Sequence, residues 1–180
     1  LTPLLASLDF HGRNFEHRVP PDSKPIMEYF HIYFHFRLIV AQIGNLVIYC
    51  DAKHEGLWFR DLSPLLANAK FAMIGSRGSN LKIIDDLVFY DRPDIILMND
   101  GEPVLVLEKT SEVPSGHNIG QRLGRMVRAL EYEVPAIMFM PFDSMKHGKF
   151  SNVCHLNARV LDGYLRMWDI HSTPALAVNW

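Results

Sequence analysis

A turn, Asn99-Asp100-Gly101, set between two short apolar runs, constrains this chain more than any other feature. The runs are Ile95-Ile96-Leu97 before it and Val104-Leu105-Val106-Leu107 after it. Asp and Gly accept the positive φ that a tight hairpin turn requires, so the pattern predicts two antiparallel strands. Strands apolar on both faces need cover on both sides. Each strand ends in an acid, Asp94 before the first and Glu108 after the second. With the turn centred on Gly101, each acid lies seven residues from the centre, and the two oppose one another. Directly opposed residues share a face, with Cβ atoms about 5 Å apart.

Two carboxylates at that separation repel unless a cation or a proton lies between them. At the margin of apolar strands their uncompensated charge is costly as well. A shared divalent cation relieves both penalties. Oxygen-only donors suit Mg²⁺, with Mn²⁺ as its substitute. Two other readings stay open. The acids can be ordinary strand-end carboxylates, solvated or paired with Arg or Lys, and a one-residue slip in register would send them to opposite faces.

Around the hairpin the pattern alternates between helix and strand. A helix is predicted from near Ser23, with Pro25 in its first turn, Glu28 following, and His31 and His35 one turn apart. Leu46-Val47-Ile48-Tyr49-Cys50 reads as a strand, and a short helix is expected within 59–69, opening at Ser63-Pro64. Phe71-Ala72-Met73-Ile74 fits strand or helix. Leu87-Val88-Phe89-Tyr90 reads as β-rich, with Pro93 as a local irregularity. Ile119, Leu123, Met126, Val127 and Leu130 form the apolar stripe of an amphipathic helix. Ala136-Ile137-Met138-Phe139-Met140 is a buried strand, Val160 to Trp168 a helix, and Ala175 to Val178 a last strand. This order implies an α/β fold, a mixed sheet with helices on both faces.

The 180 residues suit one domain, and 48% hydrophobic residues suffice for a core. The formal net charge of -2 leaves a nucleic-acid partner open, provided that basic residues gather locally. Two cysteines, Cys50 and Cys154, far apart and without metal-ligand spacing, point to a reducing, cytoplasmic compartment. No stretch is long and apolar enough to span a membrane. The chain does not start with Met and ends at Trp180 in a predicted strand, so a partial chain is expected.

Pro93-Asp94, thirteen residues, then Glu108-Lys109-Thr110, with a helix and a strand following, resembles the PD-(D/E)xK nuclease superfamily. The segment from Glu108 to Phe142, with Ser115-Gly116-His117-Asn118 and Gln121-Arg122, is similar to type II restriction endonucleases in particular. The resemblance covers 87–142. It implies a restriction-endonuclease-like fold and a metal held by Asp94, Glu108 and the backbone carbonyl of Lys109. The metal would activate water for attack on a DNA phosphodiester. It further implies a homodimer or other oligomer, because cutting both strands takes two sites.

In that family a lysine stands two residues after the second acid, where this chain has Thr110. Lys109 is one residue early, and alternation sends it to the opposite face. Thr110 can orient water through its hydroxyl, a distant lysine such as Lys82 can supply the charge, or a bulge can turn Lys109 inward. The first account is preferred, and loss of catalysis is the fourth possibility. Beyond the hairpin, Ser115 to Asn118 read as a helix cap able to receive phosphate. His117, Asn118, Gln121 and Arg122 are the candidate DNA contacts, whereas Arg125 and Arg128 read as an ordinary solvated face.

Other signals carry less. His31 and His35 lack the Glu of a metalloprotease helix, Glu28 fits the start of a helix, and Asp85-Asp86 reads as a turn or cap pair. Lys146, His147 and Lys149 form a short basic loop that could touch a DNA backbone. The leading expectation is a DNA endonuclease acting with Mg²⁺. A non-catalytic nucleic-acid-binding module on the same fold is the main rival. A glycosidase built on paired carboxylates lacks an aromatic-lined acidic cleft.

Overall fold

The computed structural model describes residues 44–113, 117–145 and 153–179. The helix expected from Ser23, with Glu28, His31 and His35, lies outside the described residues, as do Ser115, Gly116, Lys146, His147 and Lys149. The described chain runs β1 (Leu46–Cys50), α1 (Lys53–Asp61), a 3-10 turn (Pro64–Leu66), β2 (Lys70–Met73), α2 (Lys82–Leu87), β3 (Ile95–Asn99) and β4 (Glu102–Lys109). It continues through α3 (His117–Glu131), β5 (Ala136–Met140), β6 (Asp143–Met145), β7 (Val153–His155), α4 (Ala158–His171) and β8 (Ala175–Asn179).

Six strands form one sheet in the order β2-β1-β3-β4-β5-β8, and β6 and β7 form a separate hairpin. In the large sheet β3 alone runs against the other five strands. The carboxyl ends of β1, β4 and β5 therefore share one edge with the amino end of β3. Outside the carboxyl ends of parallel strands is where α/β sheets commonly place ligands.

The apolar strands are explained by cover on both faces. Ile96, Met98, Val106, Ala136, Met138 and Met140 pack with α2, α3 and α4 through Ile84, Met126, Leu130, Val160 and Tyr164. Ile48, Ile95, Leu97, Leu105 and Leu107 pack on the other face with Phe59 of α1 and Leu66 of the 3-10 turn. Period-two alternation assigns neighbours such as Ile95 and Ile96 to opposite layers. Fully burying each such side chain stabilises the fold by about 1.5–3 kcal/mol.

The hairpin turn is the two-residue loop Asp100-Gly101, with φ of 50° and 90°, as a type I′ turn needs. Its centre lies between those residues, since Asn99 pairs with Glu102. That register alone would set Asp94 across from Leu107. The pairing shifts between Leu97 and Met98, however, leaving Val104 as an extra residue on β4, and Ile95 pairs with Leu107. One step further, Asp94 falls across from Glu108. The opposition expected from a Gly101-centred turn is thus produced by a bulge.

Two local expectations need correction. Residues 87–90 are not a strand: Leu87 ends α2, which buries Ile84 and Leu87 at helical spacing, and Phe89 and Tyr90 are about half exposed. The helix expected within 59–69 is only the 3-10 turn, capped by Ser63 Oγ accepting from the Leu65 N–H at 3.3 Å. Phe59 belongs instead to the end of α1. Of the two forms that Phe71-Ala72-Met73-Ile74 fits, the chain takes the strand, as β2 (Lys70–Met73). Among the described residues no helix is long and apolar enough to cross a membrane.

Candidate functional site

Asp94 and Glu108 meet at the carboxyl edge of the sheet, on the face covered by α3. The Glu108 side chain is fully buried and that of Asp94 is 13% exposed. Asp94 Oδ2 accepts the Lys109 N–H at 2.7 Å, tying the two strand ends together. The same register, continued to Lys109, sets Pro93 across from it. Proline has no N–H, so Pro93 cannot donate to the Lys109 carbonyl as an antiparallel partner would. The Pro-Asp pair thus gives the strand end a carboxylate and brings no N–H from Pro93 to the carbonyl beside it.

Helix α3 brings two guanidinium groups to the acids. Arg122 and Arg125 are three residues apart and so lie on neighbouring parts of the helix surface. Arg122 Nη1 donates to Glu108 Oε1. Arg125 Nη1 donates to both Glu108 oxygens at 2.7 Å, and lies 4.0 Å from Asp94 Oδ1. The rest of the Arg125 fork holds Asp91, with Nε at 2.9 Å and Nη2 at 2.8 Å from Oδ2. Arg125 links all three carboxylates, and its side chain is 19% exposed.

Burial, and then the neighbouring charge of Asp94, push Glu108 up to about 7 despite the two arginines. Asp94 is raised by burial, against the pull of the Lys109 N–H and the two guanidiniums. Asp91 falls below the usual carboxylate range: burial opposes its charge, but the Arg92 N–H and Arg125 outweigh it. Arg125 is held more firmly charged than an ordinary arginine, since Glu108 and Asp91 outweigh the penalty of burial. Glu55 on α1 is raised by burial and then by Asp94, and the Asp51 N–H donates to the Asp94 carbonyl at 3.0 Å. Tyr164 on α4 has its phenol raised by burial and then by Glu108.

The other sequence candidates divide. Lys109 points to the opposite face, where its Nζ lies 4.4 Å from the Trp58 ring centroid; the bulge sits at Val104 and does not turn it inward. Thr110 is buried, and its hydroxyl is engaged by Glu112, accepting from the N–H at 3.1 Å and donating to the carbonyl at 3.0 Å. Lys82 is exposed at the start of α2. Gln121 is exposed one residue before Arg122. His117 and Asn118 open α3, and their side chains lie outside the description.

Arg125 and Arg128 correct the solvated-face reading. Arg128 stacks on Phe89, Tyr90 and Tyr132 and donates to the Asp86 carbonyl at 2.7 Å. The i, i+3 pair of arginines was a usable signal for Arg122 and Arg125. The partner that buries Arg125, Asp91, lies in the segment after α2 and could not be placed by a helical wheel. Asp85, read as a cap or turn residue, ties down the preceding loop by accepting from the Gly78 N–H and from Asn80 Nδ2.

Among the described residues no group of three or more Asp, Glu, His or Cys side chains is placed to hold a metal ion. What the edge offers is the carboxylate pair with the Lys109 carbonyl. That donor set is oxygen-only, the donor chemistry that hard divalent cations take, and both Glu108 oxygens in it accept from arginine. Comparison with family models, with curated proteins and with solved structures finds no match for the chain.

Proposed function

We propose that the protein is a divalent-metal-dependent DNA endonuclease of restriction-endonuclease-like fold. The observation that carries this reading is the buried opposition of Asp94 and Glu108 at the carboxyl edge of the sheet. Asp94, Glu108 and the Lys109 carbonyl would hold Mg²⁺ or Mn²⁺. When bound, the ion would supply a nucleophile from water at neutral pH and stabilise charge on the phosphoryl oxygens. Asp94 also fixes the end of β4 through the Lys109 N–H, which holds the pair in register. Arg122 and Arg125 place two fixed positive charges beside the pair, where a phosphodiester would lie. The restriction-type reading carries a homodimer with it, to be checked by sedimentation.

The test is incubation of plasmid and genomic DNA with the protein in Mg²⁺, Mn²⁺ or EDTA. Discrete fragments that disappear in EDTA are expected, and Asp94→Ala and Glu108→Ala should abolish them while the protein stays folded. Normal metal-dependent cleavage by either variant would overturn the assignment.

One observation favours a second reading, a nucleic-acid-binding module that does not cut. Both Glu108 oxygens already accept from arginine, Lys109 faces away, and the Thr110 hydroxyl is occupied. That reading expects salt-dependent DNA binding with intact DNA in every metal.

A further inference from the structure

We propose that Arg125 is a built-in competitor of the divalent cation: it occupies both oxygens of Glu108 in the metal-free protein and, when displaced, binds the DNA phosphate. The proposal rests on the metal-site reading above and adds what the arginines do there.

The geometry carries the argument. Glu108 is fully buried and its oxygens are taken by Arg122 and by both contacts of Arg125 Nη1. A cation can reach Glu108 only by replacing at least one of these guanidinium contacts. Arg125 has the means to leave without unpairing its charge. Its Nε and Nη2 stay on Asp91, which is on the surface side, 36% exposed against none for Glu108. A small movement about that anchor frees Nη1 while the other edge of the planar fork remains bound. Guanidinium presents paired donors suited to phosphate oxygens. Once Glu108 is neutralised by the metal, the freed donor has lost its carboxylate partner, and a phosphodiester at the same edge supplies a replacement.

The position also answers the missing lysine. On β4, Glu108 is followed on its own face by Thr110, whose hydroxyl is held by Glu112. The cation of this site therefore comes from the facing helix. Exchange predicts reciprocal linkage: metal and DNA each strengthen the other's binding, and Arg125 carries that coupling.

The experiment uses the full chain and two binding readouts that need no turnover. Calorimetric titration with MnCl₂ compares the wild-type protein with Arg125→Gln. With the competitor removed, the variant should bind Mn²⁺ at least tenfold more tightly. Fluorescence anisotropy with a phosphorothioate-backbone duplex then measures what Mn²⁺ does to DNA affinity. Wild type should gain at least tenfold, and the variant less than twofold. Should Arg125→Gln fail to fold, Arg125→Lys keeps the charge without the fork and should still bind Mn²⁺ about threefold more tightly. Unchanged or weaker Mn²⁺ affinity in the folded variant overturns the proposal, as does an undiminished effect of Mn²⁺ on duplex binding. Absence of Mn²⁺ binding by wild type and variant alike overturns it together with the metal-site reading. Intact DNA with both affinity shifts present upholds the exchange and sinks only the nuclease reading.

Discussion

The charge balance at Glu108 makes a signed prediction about stability. Its carboxyl is raised from 4.5 to about 7 in the folded protein, so between those values the native state holds a proton that the unfolded chain has released. Stability then falls as pH rises, because the unfolded state binds fewer protons. At about 1.4 kcal/mol per pH unit, the whole window is worth about 3 kcal/mol, most of which is lost between pH 5 and pH 8. For a chain of this length that corresponds to about 5–10 °C in Tm. Glu108→Gln keeps the shape and an acceptor for arginine but cannot titrate. The assay is thermal unfolding in EDTA at pH 5 and pH 8 for both proteins. The wild type should lose 5–10 °C more than the variant over that interval. Were the arginines to dominate instead, the carboxyl would be depressed, and its contribution would be present above 4.5 and lost on acidification. Equal pH responses, or a wild type that gains on the variant toward pH 8, would refute the reasoning.

Three further outcomes follow from the packing. Met126 of α3 is fully buried, so Met126→Ala should cost about 2–5 kcal/mol in urea unfolding through lost burial and a cavity. Gly101 has φ of 90° in the hairpin turn; Gly101→Val should destabilise by roughly 1–2 kcal/mol, and a neutral effect would contradict the turn assignment. Pro93→Ala introduces an N–H across from the Lys109 carbonyl, and calorimetry should find Mn²⁺ bound several-fold more weakly with stability changed by less than about 1 kcal/mol.

Local chemistry made the hairpin legible. Asp100-Gly101 specifies the turn, uninterrupted apolar runs announce strands covered on both faces, and the stripe from Ile119 to Leu130 marks α3. Helix α2 was hidden because it is short and its buried residues, Ile84 and Leu87, adjoin Val88 and Phe89, which mimic a strand. The β6–β7 hairpin has strands of three residues, too short for alternation to register. Glu55 and Asp51 went unmarked because they reach Asp94 only through the pairing of β1 with β3. Arg125 points well away from the apolar stripe, and on a helix seen alone such a residue is solvated. Here the segment from Tyr90 to Asp91 lies along that flank, with Asp91 on Arg125 and the Tyr90 hydroxyl 3.2 Å from Glu131.

The bulge at Val104 decides more than the pairing of two acids. Without it, the turn register would set Asp94 against Leu107, and Glu108 would face a partner with no charge. Asp94 would also shift relative to the Lys109 N–H that now fixes it. With it, Glu108 lies on the α3 face and Lys109 on the α1 face against Trp58. Strand alternation then forbids Lys109 and Glu108 from sharing a site, and the positive charge that a buried Glu108 requires has to come from another layer. Arg122 and Arg125 meet that requirement at one helical turn's spacing. An insertion that slipped the strand end by one residue, such as an alanine between Val106 and Leu107, would exchange the two faces. It should unpair both arginines at once, with a loss of stability well beyond that of Glu108→Gln.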